Sequence, residues 1–285
     1  MSGILPAIVT PVDAEERFSS SAFEKLIASF YEAGVDGLYV CGNTGEGLLL
    51  DAAAREAAAE AAVANSSAGK QVIVHVGAHR QSEAIRLTRH ASRLGVAAVS
   101  SLPPGSSYGF AETKAYYQAL AGASSVPVLV YHFPSIASFS LAQLEELCAI
   151  PGVAGLKFTS FDLYSLRQLR AGGERVIFNG HDEVLAAGLL MGASGGIGST
   201  YNLMPGLFVD LWTRARGGDW DGAIAVQDRI NALIRILLDY PLIAAIKQVL
   251  TWRGIPCGSP VAPRGGLTEA QLLSLRSRVE AWERG

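Results

Sequence analysis

Hydrophobic residues in this chain fall in short runs that alternate with longer amphipathic stretches, and the alternation repeats eight times. Residues 4–10 form an apolar run closed by Pro11, the pattern of a first strand. Phe23, Leu26, Ile27 and Phe30 then recur at helical spacing, Ser21 and Glu24 have the form of a capping box, and Gly34 supplies a stop. Further apolar runs at 36–41, 72–76, 97–102, 126–131, 152–159, 175–178 and up to 195–198 predict seven more strands. Between them lie helical patterns at 51–66, 81–94, 112–120, from the Ser140/Gln143 capping box to 149, around Leu163, Leu166 and Leu169, and at 182–191. Pro205 sits where the first turn of another helix would begin. Three more helical patterns follow, at 220–238, 242–253 and 268–284.

Strand and helix in strict alternation imply parallel strands with helices packed outside. Eight such units in about 215 residues suit a closed α/β structure, a (β/α)8 TIM barrel. We therefore expect a barrel over residues 1–216 and a three-helix C-terminal extension over 217–285. A doubly wound open sheet is the competing topology. The lack of a G-x-G-x-x-G after the first strand argues against a dinucleotide-binding version of it.

Composition narrows the function. Hydrophobic residues make up 49% and charged residues 17%, which predicts a large core and buried subunit contacts. A formal charge of −3 leaves no footprint for nucleic acid or an anionic membrane. Residues 184–209 carry no charge, but several glycines, Pro205 and the polar Ser199-Thr200-Tyr201-Asn202 interrupt them, so no membrane span is expected. The N-terminus reads directly into a strand without a signal pattern. Cys41, Cys148 and Cys257 are far apart and include no C-x-x-C pair, which fits a reducing cytoplasm and neither a disulfide framework nor structural zinc.

A barrel places its chemistry just after the strands, on the C-terminal face. That rim carries Thr10, the turn Asn43-Thr44-Gly45-Glu46, Tyr131, Lys157 with Thr159, Gly180 with Asp182-Glu183, and Gly198-Ser199. Of the five lysines, Lys25, Lys70, Lys114 and Lys247 read as helix or loop surface; Lys157 alone is set between apolar neighbours, Val153, Leu156 and Phe158. An amine facing an apolar interior loses hydration in its charged form, the setting in which lysine attacks a ketone to form a Schiff base. Its plain alternative is a strand-end lysine snorkelling to water. Asn43 and Thr44 can offer donors to a carboxylate, or simply make a tight turn. The Tyr131 phenol can move a proton beside Lys157, or be a core aromatic. Asp182 and Glu183 can hold hydroxyls, or merely cap a helix. His75 and His79 lack helical ligand spacing, so no metal centre is expected, while His132 and His181 read as rim residues.

Four of these segments together resemble a known family. Tyr131-His132-Phe133-Pro134, Gly155-Leu156-Lys157-Phe158-Thr159, Gly180-His181-Asp182-Glu183 and Gly195-Gly196-Ile197-Gly198-Ser199-Thr200-Tyr201-Asn202 are similar to the N-acetylneuraminate lyases, within the Schiff-base aldolases that include dihydrodipicolinate synthase. The turn Gly42-Asn43-Thr44-Gly45-Glu46 resembles that family's carboxylate loop. The resemblance implies a homotetrameric barrel acting on a small-molecule keto acid, without metal or organic cofactor. It implies Lys157 as the imine-forming residue and Tyr131 as the proton carrier. Asn43 and Thr44 would hold the carboxylate, and Thr159, Gly180, Asp182, Glu183 and Ser199 the sugar chain.

Two departures bear on the branch. The synthases carry an arginine where Ile136 stands here, and a tyrosine pair where the loop after the fourth strand has Ser106-Ser107 followed by Tyr108. Both differences favour a lyase over a synthase. Asn43 replaces the hydroxyl residue usual in the loop. An aldolase for another 2-keto-3-deoxy sugar acid, and a barrel that binds a keto acid without turnover, are the competing readings.

Overall fold

The structure is a computed structural model and describes residues 1–105 and 107–285. The strands are β1 (Gly3–Pro6), β2 (Gly37–Val40), β3 (Gln71–His75), β4 (Ala98–Ser101), β5 (Val128–His132), β6 (Val153–Phe158), β7 (Val176–Asn179) and β8 (Gly195–Gly198). Interleaved with them are α1 (Ser20–Glu32), α2 (Ala52–Ala64), α3 (Gln81–Arg93), α4 (Phe110–Ala123), α5 (Leu141–Cys148), α6 (Leu163–Ala171), α7 (Leu185–Leu190) and α8 (Pro205–Gly217). Then come α9 (Trp220–Leu237), α10 (Leu242–Trp252) and α11 (Glu269–Arg284).

All strand pairs are parallel, in the order β1-β8-β7-β6-β5-β4-β3-β2. The remaining seam is drawn together by Asp36 N–H donating to Ile4 O (2.9 Å), Ile8 N–H donating to Tyr39 O (3.1 Å), and a parallel bridge between Ala7 and Tyr39. This is the expected barrel. Period-two alternation divides its side chains into two layers. Ile4, Leu38, Val40, Val72, Val74, Val128, Val130, Leu156 and Phe158 face outward and pack with the helices. Leu5, Tyr39, Ile73, Leu129, Tyr131, Phe178 and Ile197 fill the interior. Lys157, between Leu156 and Phe158, is therefore on an inward position.

Helix starts are set by side-chain caps. Asp51, Asp162 and Asp219 accept from backbone N–H groups three residues on, and capping boxes open α5 (Ser140/Gln143) and α11 (Thr268/Gln271). The expected Ser21/Glu24 box does not form. Helix α1 starts at Ser20, and Glu24 Oε1 instead accepts from Ser20 Oγ at 2.8 Å. The first strand ends at Pro6, because Asn202 takes over the backbone beyond it, accepting from Val9 N–H (3.1 Å) and donating to Ala7 O (2.7 Å). The helix expected at 182–191 begins as a 3₁₀ turn, Asp182–Val184, before α7.

The surface assignment of Lys247 is wrong. Its side chain is 1% exposed and its Nζ lies 2.6 Å from Glu46 Oε2. Among the described residues, no helix is long and apolar enough to cross a membrane.

Candidate active site

The C-terminal mouth of the barrel encloses a cavity of about 220 Å³. All nine residues to which the family resemblance gives a role line it, contributed by the ends of β2, β5, β6, β7 and β8.

Lys157 reaches it from β6, directly in register with Tyr131 on β5. The residue is 4% exposed, with Nζ 4.1 Å from the Tyr131 ring centroid and 4.5 Å from that of Tyr39. Two aromatic faces thus hold the nitrogen where an ordinary buried lysine would need a carboxylate. Lys247 shows that other solution: paired with Glu46, it also donates to Ser259 O at 3.0 Å. Among the described residues, Lys157 has no ion-pair partner.

The Tyr131 ring stacks on Phe133 (6.2 Å between centroids, 12° between planes) and meets Tyr39 and His75 edge-on. His75 is a structural part of this aromatic cluster. Burial, and then the charge of Arg55, hold its pKa well below the usual imidazole range. The neutral ring accepts Leu102 N–H at Nε2 (3.0 Å), which leaves its proton on Nδ1.

The turn after β2 is tightly wound. Cys41 and Glu46 bracket it with left-handed backbone, φ +58° and +55°, a conformation non-glycine residues hold only when their surroundings impose it. Thr10, expected at the rim, instead buttresses the turn: its hydroxyl donates to Gly45 O at 2.7 Å, and it does not line the cavity. Thr44 Oγ1 and Ser199 Oγ are hydrogen-bonded at 2.7 Å, joining the turn to the end of β8. Asn43 stands at the exposed lip with Oδ1 accepting from Arg264 Nη2 at 3.1 Å.

On the far side, Thr159 Oγ1 is buried without a hydrogen-bond partner among the described residues. Gly180 lies against it so closely that a Cβ there would come within 2.0 Å of that oxygen. Asp182 Oδ2 accepts from Thr200 N–H (2.8 Å) and Thr200 Oγ1 (2.7 Å), so one carboxylate oxygen braces the 3₁₀ turn Thr200–Asn202. Burial pushes the Asp182 carboxyl up to about 6 against those donors. Glu183 is held below the ordinary carboxylate range by His181, whose Nδ1 is 3.7 Å from Glu183 Oε2. The His181 ring stacks on Phe161 at 4.0 Å.

Several lining residues escaped the sequence reading. Phe133 follows β5 and Ile197 lies in β8, while Ile234 of α9, Leu238 just after it and Leu242 of α10 bring the C-terminal helices into the cavity wall. The amphipathic pattern of those helices was visible, but not which apolar residues would reach the mouth. His132, expected at the rim, points outward and packs on Phe158 and Phe139; its register partner Phe158 belongs to the outer layer. Ile136 packs against the inner apolar cluster. Ser106 lies outside the described residues, and the neighbouring Tyr108 is exposed. Among the described residues, no three His, Cys, Asp or Glu side chains gather as a metal site.

A parallel barrel with an unpaired buried amine facing a tyrosine at its C-terminal mouth is the arrangement of a class I aldolase. The chain belongs to the dihydrodipicolinate synthetase family, whose model matches residues 1–282. It is 36% identical over 283 residues to an N-acetylneuraminate lyase of Rhizobium meliloti strain 1021, covering 98% of this chain and 94% of that one. Among solved structures it superposes on the N-acetylneuraminate lyase of Proteus mirabilis with a TM-score of 0.91, at 30% identity, over 99% of this chain and 98% of that chain. It also superposes on a catalytic lysine mutant of a Ruminococcus gnavus sialic acid aldolase, with a TM-score of 0.93 at 26% identity, over 99% and 96%.

Proposed function

We propose that this protein is a pyruvate-dependent lyase that cleaves N-acetylneuraminate to pyruvate and N-acetylmannosamine through an imine on Lys157. The observation that carries the reading is the Lys157 amine, without an ion-pair partner among the described residues and in register with Tyr131, in a cavity that also holds the Thr44–Ser199 hydroxyl pair. Lys157 attacks the C2 carbonyl of the open-chain sugar acid, and water leaves. The Tyr131 hydroxyl gives its proton to that leaving water, and the oxygen so deprotonated takes the proton of the C4 hydroxyl. The C3–C4 electron pair moves into the protonated imine, releasing the aldehyde and leaving an enamine. Return of a proton to C3 and hydrolysis of the imine free pyruvate and the amine. Thr44 and Asn43 hold the carboxylate, while Thr159, Gly180, Asp182, Glu183 and Ser199 face the polyol chain.

The R. meliloti and P. mirabilis relatives support the sugar acid as substrate. Ile136, an apolar group where a second substrate carboxylate would need a cation, disfavours the synthase reaction. Asn43, in place of a hydroxyl, keeps a second reading in play: an aldolase for another 2-keto-3-deoxy sugar acid. We further propose a cytoplasmic homotetramer that needs no cofactor, with residues 217–285 as an extension of the barrel whose helices complete the cavity wall. Pyruvate release from a panel of keto-sugar acids tests the function. N-acetylneuraminate should be the best substrate, and inactivity on it with turnover of another sugar acid would select the second reading.

A further inference from the structure

We propose that Arg264, on the segment between α10 and α11, positions the substrate carboxylate by fixing the amide of Asn43. The inference rests on reading the cavity as a keto-acid site. Arg264 does not line that cavity. It borders an adjoining one of about 300 Å³, and the two share Asn43, Ser199 and Leu242 as a common wall.

A guanidinium has only donors, so whatever faces it must accept. The 3.1 Å contact from Arg264 Nη2 therefore requires Asn43 to turn Oδ1 outward. Its NH₂ group remains for the cavity, where a carboxylate needs donors. Without Arg264 the amide can rotate by half a turn and present oxygen to oxygen. A serine or threonine hydroxyl at this position would need no such partner, since its proton rotates freely. Asparagine is useful here only with its orientation fixed.

Arg264 is itself anchored. Its Nε lies 3.8 Å from Glu46 Oε1, and that oxygen also accepts Val261 N–H at 2.9 Å. Glu46 Oε2 pairs with Lys247. The segment around Val261 is thus bound to the turn by side chain and backbone together, and two cations share one carboxylate beside the place where an anion would sit. Two cations and one carboxylate give this cluster a net formal charge of +1.

The test is the pyruvate dependence of borohydride trapping on Lys157 in the full chain, comparing the unaltered protein with Arg264→Ala, Asn43→Ser and the double variant. Loss of one charge-assisted orienting contact should raise half-saturating pyruvate by about 3- to 10-fold, with the adduct at saturation unchanged. In the Asn43→Ser background, Arg264→Ala should change it by less than about twofold, the non-additivity of a contact that has already been removed. An equal shift in both backgrounds, no shift in either, or loss of adduct even at saturating pyruvate would each overturn the role assigned to Arg264. If the unaltered protein forms no adduct, the keto-acid reading falls first and takes this proposal with it.

Discussion

Glu46 and Lys247 form an ion pair of 2.6 Å with both side chains closed to solvent, and the pair joins the turn after β2 to α10. The turn that carries Asn43 and Thr44 is therefore held from the C-terminal helices as well as from the barrel. Barrel and extension meet at the site, and the extension supplies Ile234, Leu238 and Leu242 to its wall.

Removing one partner of this pair should be costly. Lys247→Ala leaves the buried Glu46 carboxylate with only the Arg264 guanidinium, 3.8 Å away, and we expect a loss of about 3 kcal/mol in urea unfolding. Lys247→Met combined with Glu46→Gln removes both charges and should recover much of the loss. Equal midpoints for Lys247→Ala and the unaltered protein would show that the pair does not stabilise the fold.

Asp182 should imprint a pH dependence. Burial raises its carboxyl from 3.8 to about 6, so the folded protein binds this proton more tightly than the unfolded chain. Its contribution to stability is fully present below about pH 4 and is lost as pH rises through about 6, a change on the order of 3 kcal/mol. Urea unfolding between pH 4 and 7 should show this slope, and Asp182→Asn should flatten it. Parallel curves for the two proteins would contradict the assignment.

Tyr39 should matter through its ring and little through its hydroxyl. Its Oη makes a 3.2 Å bond to Ser100 Oγ, while its ring face lies 4.5 Å from the Lys157 nitrogen. Tyr39→Phe keeps the face, and kcat/KM should stay within about threefold. Tyr39→Leu removes it and should lower kcat/KM by about 10-fold or more. Equal losses in the two variants would assign the effect to the hydroxyl.

Gly180 is required by contact. A Cβ at this position would come within 2.0 Å of Thr159 Oγ1 and 3.0 Å of Thr159 Cα, too close for a rotamer change alone to relieve. Gly180→Ala should lower stability by about 1–3 kcal/mol and depress kcat/KM. Wild-type values for both would mean the strand ends shift freely.

The barrel was legible because each strand is a short apolar run bounded by turn residues. Lys157 stood out by its apolar neighbours, and the structure adds that Leu156 and Phe158 on either side belong to the outer layer, which turns it inward. Site residues at strand ends followed from the barrel itself. Contacts distant in sequence were hidden: nothing local to Lys247 reveals Glu46 as its partner, so an amphipathic helix made it look like surface. The N-terminus of α1 was misjudged because Ser19, Ser20 and Ser21 are equivalent cap candidates on paper, and only the folded backbone chooses among them.

The claim on which the account depends is that Lys157, and not the more deeply buried Lys247, condenses with a keto acid. Incubation with pyruvate and borohydride, followed by peptide mass mapping, tests it most directly. One reduced adduct is expected, on the peptide containing Lys157, and none in Lys157→Arg, whose guanidinium stays protonated. An adduct on another lysine, or a Lys157→Arg protein that still traps pyruvate, would contradict it.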